Sequence, residues 1–110
     1  MTTRYTDEGD LRKYRTELPN MADDELNPYQ YRLYAHYKRV CGANNGSCWE
    51  SRDTTAEKCK MSAGMVSKTR DWLAKHGWIR LDRGDNQNDT YSVYIVDRWA
   101  ENMNRYHRES

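Results

Sequence analysis

The sequence predicts a mainly helical domain carrying a small β-hairpin, of the α+β class. Three observations predict it. Apolar residues recur at helical spacing between an N-cap candidate at Asn27 and a stop at Gly42. Two shorter helical segments, 54–61 and 62–76, follow with a tight break between them. Two runs of β-favouring residues, "WIRLDR" and "TYSVYIV", then flank the polar spacer "GDNQND".

Taken in order, residues 1–16 lack periodicity and are rich in charge, so they read as a flexible N-terminal arm ahead of one domain over 17–110. Asn27 is suited to cap the first long helix. Pro28 sits at its first position, where a missing N–H leaves nothing unpaired. Tyr34, Tyr37 and Cys41, with Leu33 and Val40 beside them, form its core face. "GANNGSCWESRD" is loop chemistry, within which "SCWES" can form one short strand. The segment "TTAEKCKM" is expected to be a short helix capped by Thr54 or Thr55. The next helix is expected to be capped by Ser62 and stopped by Gly77. Val66, Thr69, Arg70 and Leu73 share its inner face, and Trp72 lies at the margin. The spacer 84–89 is too long for a two-residue turn and gives the hairpin an extended tip. "DRWAENMNRYHRES" closes the domain as a short helix, with Trp99 and Met103 expected to pack inward at i, i+4.

Composition sets the character of the core. Only 36% of the 110 residues are hydrophobic and none is Phe, so four Trp, nine Tyr and five Met must fill it. Tyr and Trp carry polar tips, so a thin, aromatic core with wet edges is expected. The net charge of +1 implies no partner by itself, but its distribution does. Residues 7–25 hold seven acids and three bases, whereas residues 58–83 hold seven bases (Lys58, Lys60, Lys68, Arg70, Lys75, Arg80, Arg83) and two acids. No apolar run reaches transmembrane length and the N-terminus has no signal-peptide core, which points to a cytoplasmic protein without membrane contact. Three cysteines cannot form a complete disulfide framework, and reduced thiols are expected.

Short helix, tight turn, longer helix, Gly, strand, long tip, strand: this order resembles the winged helix-turn-helix. The likeness covers about residues 54–96. It puts Ala56 at the small site where two helices cross, Met61 at the turn, and Val66 and Leu73 as buried anchors. Gly77-Trp78-Ile79 is similar to the glycine–apolar–isoleucine ending that leads such a helix into the wing. Lys60 departs from the pattern, since the turn position usually favours Gly. More narrowly, the helix opening with Pro28, Arg32, Leu33 and Tyr34 looks like helix-turn-helix domains of phage- and plasmid-type replication initiators and replisome organisers.

The resemblance implies double-stranded DNA as partner, with the second helix of the motif in the major groove and the wing on the adjacent backbone. The outer face of that helix holds Gly64, Ser67, Lys68, Asp71 and Lys75, behind a small polar first turn of Ser62, Ala63 and Gly64. Small residues let backbone approach a base edge or phosphate, and the N–H groups of a helix start favour phosphate. Lys60 in the turn adds charge. The wing tip offers Arg83, Asn86, Gln87 and Asn88, which suit a minor groove or its flanking phosphates, while Asp85 and Asp89 favour a plain polar loop.

Other chemistry finds no pattern. Cys41, Cys48 and Cys59 with His36 or His76 lack the two-residue spacing of zinc sites, so buried free thiols are expected, with Cys48 in a loop. No nucleophile elbow, phosphate-binding glycine loop or paired-carboxylate pattern occurs, so neither catalysis, cofactor nor small-molecule ligand is expected. Asp23-Asp24-Glu25 reads as a solvated segment before the Asn27 cap. Met61, Met65 and Met103 read as core filler. The function expected is DNA binding, in replication initiation for a mobile element or in transcription regulation. The alternative is a winged-helix protein-interaction module, such as a homodimer, using surplus aromatics at Tyr29, Tyr31, Trp49 and Trp99.

Overall fold

The computed structural model describes residues 15–42, 47–82 and 91–107. Among these the chain forms five helices and a small three-stranded antiparallel sheet. In chain order they are α1 (Asn20–Glu25), α2 (Pro28–Gly42), β1 (Ser47–Trp49), α3 (Arg52–Cys59), α4 (Ala63–Lys75), β2 (Ile79–Asp82), β3 (Ser92–Ile95) and α5 (Trp99–His107). Nearly all of the arm expected over 1–16 lies outside the described residues, as does the tip between β2 and β3.

Local chemistry sets the helix ends. Asn27 Oδ1 accepts from the Gln30 N–H at 2.8 Å, and Gln30 Oε1 accepts from the Asn27 N–H at 2.9 Å. This reciprocal pair satisfies two donors at the start of α2. Ser62 Oγ caps α4 by accepting from Met65 N–H at 3.1 Å. The cap of α3 is Ser51, not Thr54 or Thr55: its Oγ accepts from Thr54 N–H at 3.1 Å, so the cap lies three or four residues earlier than expected. Thr54 and Thr55 instead lie inside α3, where the Thr55 hydroxyl reaches a carboxylate.

Both α3 and α4 end on a left-handed residue, Lys60 (φ 58°) and Gly77 (φ 80°). At each end the same two bonds close the last turn. Lys60 N–H donates to Glu57 O and Met61 N–H to Ala56 O; Gly77 N–H donates to Ala74 O and Trp78 N–H to Leu73 O. This geometry turns the chain sharply and brings α3 and α4 together as a pair.

The sheet order is β1-β3-β2, with β3 in the centre. Ser47, Cys48 and Trp49 face Tyr94, Val93 and Ser92 on one side, and Ile79 to Asp82 face Ile95 to Ser92 on the other. The core is where α2, α4 and the sheet meet. Leu33, Tyr34, Tyr37, Val66, Leu73, Trp78, Ile79 and Val93 fill it, and Met21 and Ala22 of α1 join it. Tyr34 and Trp78 meet edge-to-face at 5.3 Å between ring centroids. Burial pushes the Tyr34 hydroxyl up to about 12, despite the opposing charge of Arg98. All four expected inner residues of α4 are buried, Arg70 included.

Two expectations are corrected. Cys41 and Cys48 are joined in a disulfide, with 4.6 Å between their Cα atoms, so only Cys59 is the buried free thiol expected. An odd cysteine count rules out pairing all three but not two, and the packing of β1 against α2 brings this pair together. Trp99 and Met103 do not pack inward; they are 41% and 70% exposed. The inward face of α5 is polar, because its partner is the acidic α1. Asn102 Oδ1 accepts from Met21 N–H at 3.0 Å, Arg105 bonds Glu25, and the Tyr106 hydroxyl donates to Asp24. Asp24 and Glu25, expected as a solvated segment, are exposed, and they lie in a helix that the sequence reading omits and bond α5 from there. Met103 is accordingly not core filler, whereas Met61 does pack against the core.

Candidate nucleic-acid interface

The α3–turn–α4 unit exposes one side. Burying Val66, Thr69, Arg70 and Leu73 turns Gly64, Lys68, Asp71 and Lys75 fully outward and leaves Ser67 half-buried. At Gly64 the outward direction is open: a Cβ built there would meet no atom within 4 Å. Ser62 is exposed and Ala63 half-buried, so the first turn of α4 presents small groups and backbone. The Ser62 hydroxyl is engaged as the cap.

The cations sort into used and unused. Arg70 is withdrawn from the surface: its guanidinium lies 4.3 Å from the Tyr91 ring centre and its Nε has no hydrogen-bond partner among the described residues. Arg80 lies over the Tyr94 ring at 4.2 Å, opposite it in the β2–β3 register. Lys58 Nζ bonds Glu50 Oε2 at 3.1 Å. Lys60, Lys68 and Lys75 are exposed, and no ion pair engages them among the described residues. Among the described residues the basic stretch therefore leaves three lysines exposed along the turn and α4.

The structure brings together Lys60, Ser62, Ala63, Gly64, Ser67 and Lys68 on the turn and α4. Arg83, Asn86, Gln87 and Asn88, expected at the wing tip, lie outside the described residues. Sequence reasoning missed Arg52, whose Nη1 donates to Ser67 Oγ at 3.4 Å from the neighbouring helix. It also missed a basic hollow beside α3. Arg32, His36, Arg39 and Val40 of α2 and Lys58 of α3 line a cavity of about 410 Å³. The spacing of Arg32, His36 and Arg39 at i, i+4 and i+7 was the available signal, since it places three basic side chains on one helix face.

Among the described residues no group of three or more His, Cys, Asp or Glu is placed to hold a metal ion. No described helix is long and apolar enough to cross a membrane. No family model, curated protein or solved structure matches the chain.

Proposed function

We propose that the chain is a winged helix-turn-helix domain that binds double-stranded DNA, with α4 in the major groove and the segment between β2 and β3 beside the adjacent backbone. The observation that carries this reading is the open, small-residue first turn of α4 at Gly64, set between the unpaired lysines Lys60 and Lys68. Two capped helices joined through a left-handed residue support it, as does the antiparallel β2–β3 pair that follows. The role is replication initiation for a mobile element or transcription regulation, acting in the cytoplasm by binding and not by catalysis.

A second reading is favoured by a different surface. Trp49 is 71% exposed on an edge strand, and Trp99 and Met103 are exposed one turn apart on α5. Exposed apolar side chains of this kind suit a protein partner or a second copy of the chain. Titration of a random-sequence duplex at several salt concentrations separates the two. Affinity that falls steeply with salt supports DNA binding, and its slope flattens by about 2 when Lys60 and Lys68 are both changed to Ala. A chain blind to duplex that dimerises tightly supports the interaction module instead.

A further inference from the structure

The cavity between α2 and α3 contains an unusual charge arrangement. Its lining residues are Arg32, His36, Arg39, Val40 and Lys58, with no acid among them. The carboxylate behind it, Glu50, is fully committed. Its Oε1 accepts from Thr55 Oγ1 and bonds His36 Nε2, both at 2.7 Å, and its Oε2 accepts from Lys58 at 3.1 Å. One carboxylate thus stands against three permanent cations. Arg39 is exposed and has no acidic partner among the described residues. Like charges gathered on one helix face repel and lower stability, so their grouping around a hollow calls for an anion.

The geometry also fixes where this hollow sits. Arg32 Nη2 donates to the Lys58 carbonyl at 2.8 Å, at the last turn of α3 and two residues before Lys60. Lys58 therefore belongs both to the pocket and to the corner that presents Lys60 and the start of α4. Two guanidinium groups and an ammonium match the tetrahedral oxygens of phosphate better than a single planar carboxylate. A cavity of about 410 Å³ admits a phosphate group but leaves no apolar lining beyond Val40 for a larger organic body.

We propose that Arg32, His36, Arg39 and Lys58 form a phosphate-binding pocket that takes a backbone phosphodiester of the duplex held by α4. This rests on the DNA reading and adds to it a second anchor, on α2, outside the helix pair. His36 is the positioning residue, because its bond to Glu50 sets the ring at the pocket wall, and Arg39 supplies the uncommitted charge.

The test uses the full chain and its Arg39→Ala variant, which removes an exposed side chain that makes no hydrogen bond or ion pair among the described residues. Two titrations are run, one with a random-sequence duplex at several salt concentrations and one with inorganic pyrophosphate, the latter read on the His36 ring signals by NMR. The expected result is a duplex slope flatter by about 1 in the variant, with a pyrophosphate-induced His36 shift that the variant loses. Unmoved His36 signals in the full chain overturn the pocket. A His36 shift with an unchanged duplex slope overturns the backbone assignment and leaves a site for free phosphorylated anions. A full chain that binds no duplex overturns the DNA reading and this anchor together, whereas intact duplex binding with an unchanged slope overturns the anchor alone.

Discussion

His36 Nε2 lies 2.7 Å from Glu50 Oε1, joining the middle of α2 to the residue between β1 and α3. Both side chains are nearly buried. Thr55 and Lys58 of α3 donate to the same carboxylate, so one acid ties three elements together. Burial raises the Glu50 pKa, but the hydrogen bonds from His36, Thr55 and Lys58 outweigh it and hold the carboxyl below the ordinary glutamate range.

Glu50→Ala is therefore expected to destabilise the fold by about 1–3 kcal/mol at neutral pH, because buried donors on His36 and Thr55 lose their acceptor. The sign with pH follows from the lowered pKa. Folded Glu50 binds its proton more weakly than unfolded Glu50, so its contribution is full above about 4.3 and drains as pH falls below that value. Urea melts of both chains should show a gap at pH 7 that narrows by about pH 3. A gap that widens in acid would show that the Glu50 cluster does not act through its carboxylate.

Much of this fold was legible because periodicity and caps are local. Asn27, Pro28, Ser62 and Gly77 punctuate helices through bonds that span only a few residues, and the inner face of α4 follows from its 3.6-residue repeat alone. What was illegible is set by distant partners. Nothing in "NMADDE" announces a helix, since α1 holds together by burying Met21 and Ala22 and by meeting α5 some eighty positions later. The phase of α5 failed for the same reason: apolar residues face inward only when the neighbouring surface is apolar, and α1 offers acids. Within the candidate site, Lys60 and Lys68 were legible from the chain. The basic face of Arg32, His36 and Arg39 was legible from its spacing, but the hollow was not, because the approach of α3 to α2 creates it.

The α4 anchors make the next test. Leu73 is fully buried where α4 meets the rest of the core, and Val66 is fully buried on the same face. Leu73→Ala is expected to destabilise by about 2–5 kcal/mol. Val66→Asp is expected to prevent folding, since it buries a carboxylate without a partner. Urea melts showing less than about 1 kcal/mol for Leu73→Ala would contradict its burial.

Lys60 separates stability from binding at one position. Its φ of 58° is left-handed, which costs an L residue about 1–2 kcal/mol. Glycine adopts it freely, at an added unfolded-state entropy worth about 0.5–1 kcal/mol. Lys60→Gly is thus expected to raise stability by roughly 0.5–1 kcal/mol. On the proposed DNA reading the same change removes one phosphate contact, so the duplex salt slope should flatten by about 1. Thermal melts and salt titrations on one preparation check both. Increased stability with an unaltered slope would place Lys60 away from the DNA.

Gly64 gives the sharpest contrast between fold and function. Glycine in a helix is less favourable than Ala by about 0.5–1 kcal/mol, so close packing would be the ordinary reason for it. That reason is absent: Gly64 is exposed and a Cβ there would meet nothing within 4 Å. Gly64→Glu should therefore be tolerated by the fold. Glu is the better helix former, and in the first turn its charge interacts favourably with the helix N-terminus, by about 0.3–1 kcal/mol. For a domain of this size a gain of that order raises Tm by about 4 °C. On the proposed DNA reading, duplex binding should be lost in the same variant, because a carboxylate would then stand against phosphates or base edges between Lys60 and Lys68. Melting temperature and duplex affinity, measured together, decide it. A lower Tm with binding intact would assign Gly64 to packing, and a raised Tm with binding intact would turn this face of α4 away from DNA.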